Sequence, residues 1–187
     1  MSINIKELLK LVKNTAVCSI ISESSKISKD VPLILAEKDV RVWCTFPDEP
    51  SVFSTYVDIK QVKNTSVNYV DRNGKFKDAS IVLSTSDFLR KHMLKYIDDG
   101  KVTADVDFAD IIVLGGVSRY TLDNTIIMNL WKHMSQTGNS KKLPRLVLLL
   151  NNLDVDQSVP FDISQNYIYV KPIFEPSVEY NYKDYKP

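Results

Sequence analysis

Two uninterrupted apolar runs, Ile111–Leu114 and Leu146–Leu150, place the strongest limit on the fold of this chain. A strand with solvent on one face alternates apolar and polar residues, so a run without polar residues predicts a strand buried on both faces. Helical patterns separate these runs from other short apolar segments, an alternation typical of a parallel sheet between helical layers. We therefore predict a three-layer α/β domain with a mostly parallel central sheet, in which both runs are central strands.

Local signals predict the elements around these strands. A polar turn is expected over Ser22–Asp30, directly after a first strand that ends at Ile21. One helix is predicted over Ser86–Ile97, where an Asp-Asp-Gly sequence stops it. Another is predicted over Leu122–Met134, and either Thr121 or Asp123 can cap its start.

The length and composition of the chain are those of a globular domain. Its 187 residues are 44% hydrophobic and 25% charged, and we predict one domain over residues 1–175 followed by a Tyr/Pro-rich C-terminal tail over 176–187.

The net charge of +1 provides no long-range field that would attract nucleic acid or an anionic membrane. No apolar run reaches the roughly 18 residues of a membrane span. Lysines interrupt the apolar residues near the start, which differs from a signal peptide. We expect an intracellular protein of the cytoplasm or nucleus, or one that is carried in a virus particle.

The cysteines and histidines do not form a metal-binding pattern. Cys18 and Cys44 each lie in an apolar, strand-like run, which predicts small buried residues in a reducing compartment instead of a disulfide or metal pair. His92 and His133 lie in helical segments without a second ligand at suitable spacing. The sequence predicts no metal site, no cofactor and no catalytic residue.

The segment after the first apolar run carries the most specific pattern. The strand runs into Gly115-Gly116, and Thr121-Leu122-Asp123-Asn124 follows. This layout resembles the DEAH-box helicases of superfamily 2, in which a strand ends in D-E-A-H-E-R and a helix opens with T-L-D-N. In an ungapped alignment the two acidic positions of that motif fall on Gly115 and Gly116, and Ser118 lies in the same motif. In a working helicase the first carboxylate holds Mg²⁺ and the second positions the attacking water, and glycine can do neither.

The turn after the first strand resembles a phosphate-binding loop whose key residues differ. The family pattern G-x-T-G-S-G-K-T-T-Q-V-P aligns on Val31-Pro32. Its three glycines then fall on Ile21, Ser24 and Lys26, its lysine falls on Ile27, and its metal-binding hydroxyl falls on Ser28. Only Ser28 keeps the chemistry of its position. The first glycine of the chain is Gly74, so the positive φ angles of such a loop would fall on residues that resist them. Lys26 or Lys29 could still attract an anion, but a solvated serine-rich turn is the simpler interpretation.

The nucleic-acid motifs of the family are altered in the same way. T-Q-P-R-R of the family falls on Thr45-Phe46-Pro47-Asp48-Glu49, so Asp48 and Glu49 replace two arginines that lie along the nucleic-acid backbone. Two anions in place of two cations repel phosphate. T-D-G-M-L-L-R resembles 84–90 and keeps Arg90, and S-A-T falls on Leu150-Asn151-Asn152.

Together these matches imply the N-terminal RecA-like lobe of a DEAH-box helicase whose catalytic motifs are lost. Our first hypothesis is a non-catalytic lobe that serves as a scaffolding or interaction subunit in a larger assembly, viral or nucleic-acid-processing, through protein partners or self-association. An alternative is an ATP-independent RNA- or DNA-binding module, and a third is an enzyme with remodelled nucleotide binding. The Tyr-rich end, 167–187, is either a partner contact or a loose terminus. A generic α/β domain whose turns mimic these motifs would explain the same residues without any helicase relationship.

Overall fold

The structure is a computed structural model that describes residues 3–36, 39–116, 121–137, 142–151, 159–162 and 164–170. Its helices and strands follow each other in the chain order α1 (Ile5–Asn14), β1 (Val17–Ile21), α2 (Ile27–Leu35), β2 (Val42–Phe46), α3 (Glu49–Lys60), β3 (Val67–Tyr69), β4 (Ile81–Thr85), α4 (Ser86–Leu94), β5 (Ile97–Asp98), β6 (Lys101–Val102), β7 (Ile111–Leu114), α5 (Leu122–Thr137), β8 (Arg145–Leu150) and β9 (Tyr167–Tyr169).

Seven of the strands form one parallel sheet in the order β3-β4-β2-β7-β8-β1-β9. The predicted central strands, β7 and β8, are neighbours in the middle of this order, with Ile112 opposite Leu146 and Leu114 opposite Leu148. The prediction of a parallel α/β sheet with these two central strands is therefore confirmed.

Helices cover both faces of the sheet, and the strand side chains alternate between them. In β7, Ile111 and Val113 pack with residues of α1, α2 and α3, whereas Ile112 and Leu114 pack with residues of α4 and α5. Because successive side chains of a strand point to opposite faces, a strand between two apolar layers needs an apolar residue at every position. That requirement explains the unbroken run that the sequence shows at 111–114.

The predicted helix over 86–97 was too long. Helix α4 ends at Leu94, whose side chain is 42% exposed, and β5 and β6 pair as a small antiparallel hairpin. The turn between these strands holds Asp99 at φ 45° and Gly100 at φ 71°. Two positive φ angles in a two-residue loop are the geometry that an Asp-Gly sequence favours in hairpins, so the sequence contained a hairpin signal that we interpreted as a helix stop.

Two helix ends also differ from the prediction. Helix α2 starts at Ile27, inside the segment predicted as a turn, because Ile27 is buried and contributes to the core. Helix α5 continues to Thr137 instead of ending at Met134. Its start agrees with one of the two predicted caps: the Thr121 Oγ1 accepts a hydrogen bond of 3.2 Å from the Asn124 N–H.

Both cysteines are buried free thiols, as the sequence predicted. Burial raises the pKa of Cys18 to about 11 and raises the pKa of Cys44 as well, because a thiolate loses its hydration in the core. Within the described residues, no cluster of His, Cys, Asp and Glu could hold a metal ion, and no helix has the length and apolar character to cross a membrane.

A cluster of aromatic rings joins α4 to β2 and contains a histidine. His92 stacks on Trp43 at 5.4 Å between ring centroids and on Phe88 at 5.8 Å, and the Phe108 ring meets it edge-on at 4.9 Å. The His92 Nδ1 is buried without a hydrogen-bond partner among the described residues. Burial, and to a lesser extent the nearby Lys95 charge, lower the pKa of His92, because the charged imidazolium is poorly solvated there.

We predict that His92 makes the fold sensitive to mild acid. Since its pKa is lower in the folded chain than the unfolded value of about 6.5, the folded state binds fewer protons, and stability should be lost as the pH falls through that value. Urea unfolding of the native chain and of His92→Phe, at about pH 7.5 and about pH 5.5, measures this loss. The variant should lose less stability than the native chain. An equal pH dependence in the two proteins would contradict this role of His92.

Candidate functional site

A cleft of about 830 Å³ lies at the carboxyl edge of the sheet. Because β1, β2, β7 and β8 are parallel, the segments that follow them meet at this edge, which is where open α/β sheets bind ligands. Helices α2 and α3 form its walls. The described residues that line it are Ser25, Lys26, Ser28, Lys29, Asp30, Phe46, Pro47, Pro50, Ser51, Ser54, Thr55, Asp58, Gly115, Gly116 and Asn151.

Serine side chains close the turn between β1 and α2. The Ser22 Oγ accepts a hydrogen bond of 3.2 Å from the Ser24 N–H, and the Ser24 Oγ accepts one of 3.3 Å from the Lys26 N–H. The Ser28 N–H donates to the Ser25 carbonyl at 3.3 Å. A phosphate-binding loop keeps such N–H groups available to an anion, but here they are bound to oxygens of the chain itself.

The residues at the start of α2 point in two directions. Ile27, at the position that the helicase pattern assigns to the phosphate-binding lysine, is 3% exposed and packs in the core with Leu8 and Val31. Lys26 and Ser28, its neighbours on either side, line the cleft. The cleft therefore receives a hydroxyl and an ammonium group from α2, but the aligned lysine position contributes to packing.

Close packing of the backbone defines the opposite wall at Gly115. A Cβ atom placed on Gly115 would lie 2.4 Å from the carbonyl oxygen of Thr45 in the neighbouring strand β2. Contacts under about 3 Å force the backbone to move, because a carbonyl oxygen of a central strand cannot rotate away. This backbone geometry admits only glycine at the position that the family pattern assigns to the Mg²⁺-binding carboxylate.

The next residue, Gly116, adopts a left-handed φ of 67°, and the same turn is tied to helix α5. The buried Asn124 amide donates hydrogen bonds to the carbonyls of Gly115 and Gly116, at 3.2 and 3.3 Å. Left-handed backbone costs a residue with a Cβ about 1–2 kcal/mol, so glycine is favoured at the second acidic position of the pattern. Asn124, the last residue of the T-L-D-N match, supports this turn.

Residues at the predicted nucleic-acid positions build the end of β2 and the start of α3. Thr45 is fully buried. The Asp48 Oδ1 caps α3 by accepting a hydrogen bond of 2.8 Å from the Ser51 N–H. Glu49 pairs with Arg72 at 3.0 Å on the surface, which ties α3 to the 71–74 turn. The two carboxylates that replace the family's arginines are thus engaged in helix capping and a surface ion pair.

Arg90 lies on the other side of the sheet, away from the cleft. Its Nε donates to Asp123 of α5 and its Nη2 to Asp87 of α4, both at 2.7 Å, and these carboxylates raise the pKa of Arg90. Asp87 also binds Lys91, and these two cations lower its pKa. Arg90 therefore joins the two helices on this face.

The structure brings four of the predicted nucleotide-site residues, Lys26, Ser28, Gly115 and Gly116, into one cleft. Ser24 supports the adjacent turn, whereas Ser118, Asn152 and the tail lie outside the described residues.

Sequence reasoning missed the wall that α3 provides. Its cleft-facing residues are Ser51, Ser54, Thr55 and Asp58. Their spacing of three and four residues places them on one helix face, and this polar stripe could have been found in the sequence.

Polar and apolar groups both line the cleft, and it carries charges of both signs. Two lysines, Lys26 and Lys29, stand with two carboxylates, Asp30 and Asp58, among hydroxyl groups and backbone. A triphosphate with bound Mg²⁺ is held by a concentrated positive cradle and a metal-binding carboxylate. The described groups provide a mixed, hydrogen-bonding surface instead.

We predict that a carboxylate cannot be placed at position 115. Gly115→Asp should lower the free energy of unfolding by about 3 kcal/mol, because its Cβ meets the Thr45 carbonyl oxygen. Gly100→Asp is the matched control, since a Cβ there meets no atom within 4 Å and aspartate tolerates left-handed backbone at a cost of about 1 kcal/mol. Urea unfolding measures both losses. Equal losses at the two positions would show that the contact with Thr45 does not restrict position 115.

Comparison with known proteins agrees with the fold described above. At the level of sequence, no family model and no curated protein matches the chain. Among solved structures, the Escherichia coli DEAH/RHA helicase HrpB is similar, with a TM-score of 0.69 and 12% sequence identity. The match covers 88% of this chain and 21% of the helicase chain, so the chain spans about a fifth of that protein. The chain thus has the α/β fold of a RecA-like helicase lobe, as the order of its motifs predicted.

Proposed function

We propose that the chain is a non-catalytic RecA-like lobe that serves as a structural or interaction subunit of a larger assembly, viral or nucleic-acid-processing. One observation carries this proposal: the position of the Mg²⁺-binding carboxylate is Gly115, where a Cβ would lie 2.4 Å from a backbone oxygen. Backbone atoms occupy the space that a catalytic side chain would need at this position. The function that we propose therefore depends on the shape of the fold. The burial of Ile27 and the serine-closed turn support the same conclusion.

A nucleic-acid-binding module is less well supported. Asp48 and Glu49 stand where the family pattern has arginines, and the net charge of +1 provides little attraction for phosphate. Arg90, the cation that the pattern retains, is engaged by two carboxylates. If the chain bound single-stranded RNA through its backbone, the affinity would fall steeply with salt, and fluorescence anisotropy of a labelled RNA measures that slope. We expect no binding at low salt.

The non-catalytic proposal predicts that ATP does not stabilise the fold. A ligand raises the melting temperature only by binding the folded state, so millimolar Mg·ATP should leave the melting temperature unchanged. The control is Ser28→Ala, because Ser28 is the hydroxyl that lines the cleft at the metal-binding position of the pattern. A rise of several degrees in the native chain that disappears in this variant would identify a working nucleotide site and overturn the proposal.

The interaction function predicts a partner that can be isolated. The chain should self-associate or co-purify with another protein from its native extract, as mass spectrometry of the purified material would show. Deleting Tyr180–Pro187 should weaken that contact without unfolding the domain, because aromatic side chains provide large contact area at low entropic cost. A strictly monomeric chain in its native extract, with a protease-sensitive tail, would count against an interaction subunit.

A further inference from the structure

Helix α3 presents an unusual surface beside the cleft. Val52 and Ile59 lie on the face of α3 that is buried in the core. A second, polar face lines the cleft with Ser51, Ser54, Thr55 and Asp58. On a third face Phe53 and Val57 are 55% and 38% exposed. An amphipathic surface helix normally presents polar residues to solvent, so exposed apolar residues in the middle of a helix point to a contact with another molecule.

Four residues on this face form a stripe with symmetric spacing. Glu49, Phe53, Tyr56 and Lys60 are separated by four, three and four residues, so they lie along one line of the helix. The stripe begins with an anion, ends with a cation and has aromatic rings between them. We define these four residues as the α3 stripe.

The spacing makes the α3 stripe complementary to itself. When two copies of α3 are placed antiparallel about a two-fold axis, Glu49 of one copy, which also pairs with Arg72 of its own chain, faces Lys60 of the other, and Phe53 faces Tyr56. Both ends then pair opposite charges, and the aromatic rings meet at the centre. A two-fold interface uses the same patch on both subunits, which is the arrangement that such a stripe allows.

Intramolecular contacts hold the stripe in the required form. The Phe53 ring meets the Tyr69 ring edge-on at 6.0 Å, and the Lys60 Nζ lies 5.3 Å from the centre of the Tyr56 ring. A cavity of about 520 Å³ opens beside the stripe, lined in part by Phe53, Val70 and Asn73, and can receive an aromatic ring of a second copy. Rings fixed in advance lose little conformational entropy on binding.

From this charge complementarity and symmetric spacing, we propose that the chain forms an antiparallel two-fold dimer through the α3 stripe. The assignment rests on the proposed interaction function, for which it names the surface and the partner, a second copy of this chain. Since one helix pair buries less than a standard interface, the dimer should be of micromolar affinity.

Sedimentation of the full chain from about 1 μM to about 1 mM should show a monomer–dimer equilibrium. Phe53→Glu should abolish it, whereas Leu94→Glu, which alters an exposed apolar residue of α4, should leave it unchanged. E49K and K60E should each weaken self-association roughly tenfold or more, because each places like charges opposite each other at both ends of the pair. Far-UV circular dichroism and melting of each variant test whether it is folded.

Mixing the two charge variants gives the decisive result. In a mixed pair the two lysines of E49K face the two glutamates of K60E, so a heterodimer should form from two chains that do not associate alone. A monomeric native chain at all concentrations, or folded E49K and K60E that fail to combine, would overturn the α3 assignment. A dimer that survives both substitutions but is lost with the tail would also overturn it, while leaving the proposed interaction function intact.

Discussion

Burial of the parallel sheet on both faces is the constraint on which the other features depend. Each residue of β7 and each of the residues 146–150 of β8 contacts one of two apolar layers, so a charged side chain inside these segments would lack hydration. The buried polar residues of the strands are accordingly small hydroxyl residues, Ser19, Thr45 and Ser84. In the described part of the sheet's seven strands, charged groups lie only at strand ends, as Arg145 does, and the other charges are carried by helices and loops. Because the strands are parallel, their carboxyl ends meet at one edge, and that edge holds the cleft.

The elements around the cleft show how residues at positions of the helicase pattern contribute to the packing of this fold. Ile27 adds apolar contact to the core, and Asp48 stabilises the first turn of α3. Asn124 holds the glycine turn closed. In the helicase pattern, the positions of these residues belong to ligand-binding motifs or lie beside them. In this chain each of the three residues contributes to the stability of the fold.

The sequence predicted the parts of the structure that depend on local pattern. Runs such as 111–114 specify buried parallel strands, and Thr121 specified a helix cap, because both signals act over a few residues. The alignment of motifs brought Lys26, Ser28 and the two glycines to one cleft. It could not predict the distance between Gly115 and Thr45, because residues 70 positions apart acquire their spacing from the register of β2 and β7. The hairpin at Asp99 and the polar face of α3 were present in the sequence but were overlooked.

The close approach of Gly115 to the neighbouring strand also bears on how this chain can evolve. A single codon change converts glycine to aspartate, so the residue is easy to reach by mutation. The folded chain would have to separate β2 from β7 before that side chain could be accommodated, and these strands share a continuous ladder from Val42 to Thr45. A single mutation to an acidic residue at this position therefore gives a less stable protein. Packing alone therefore disfavours an acidic residue at position 115.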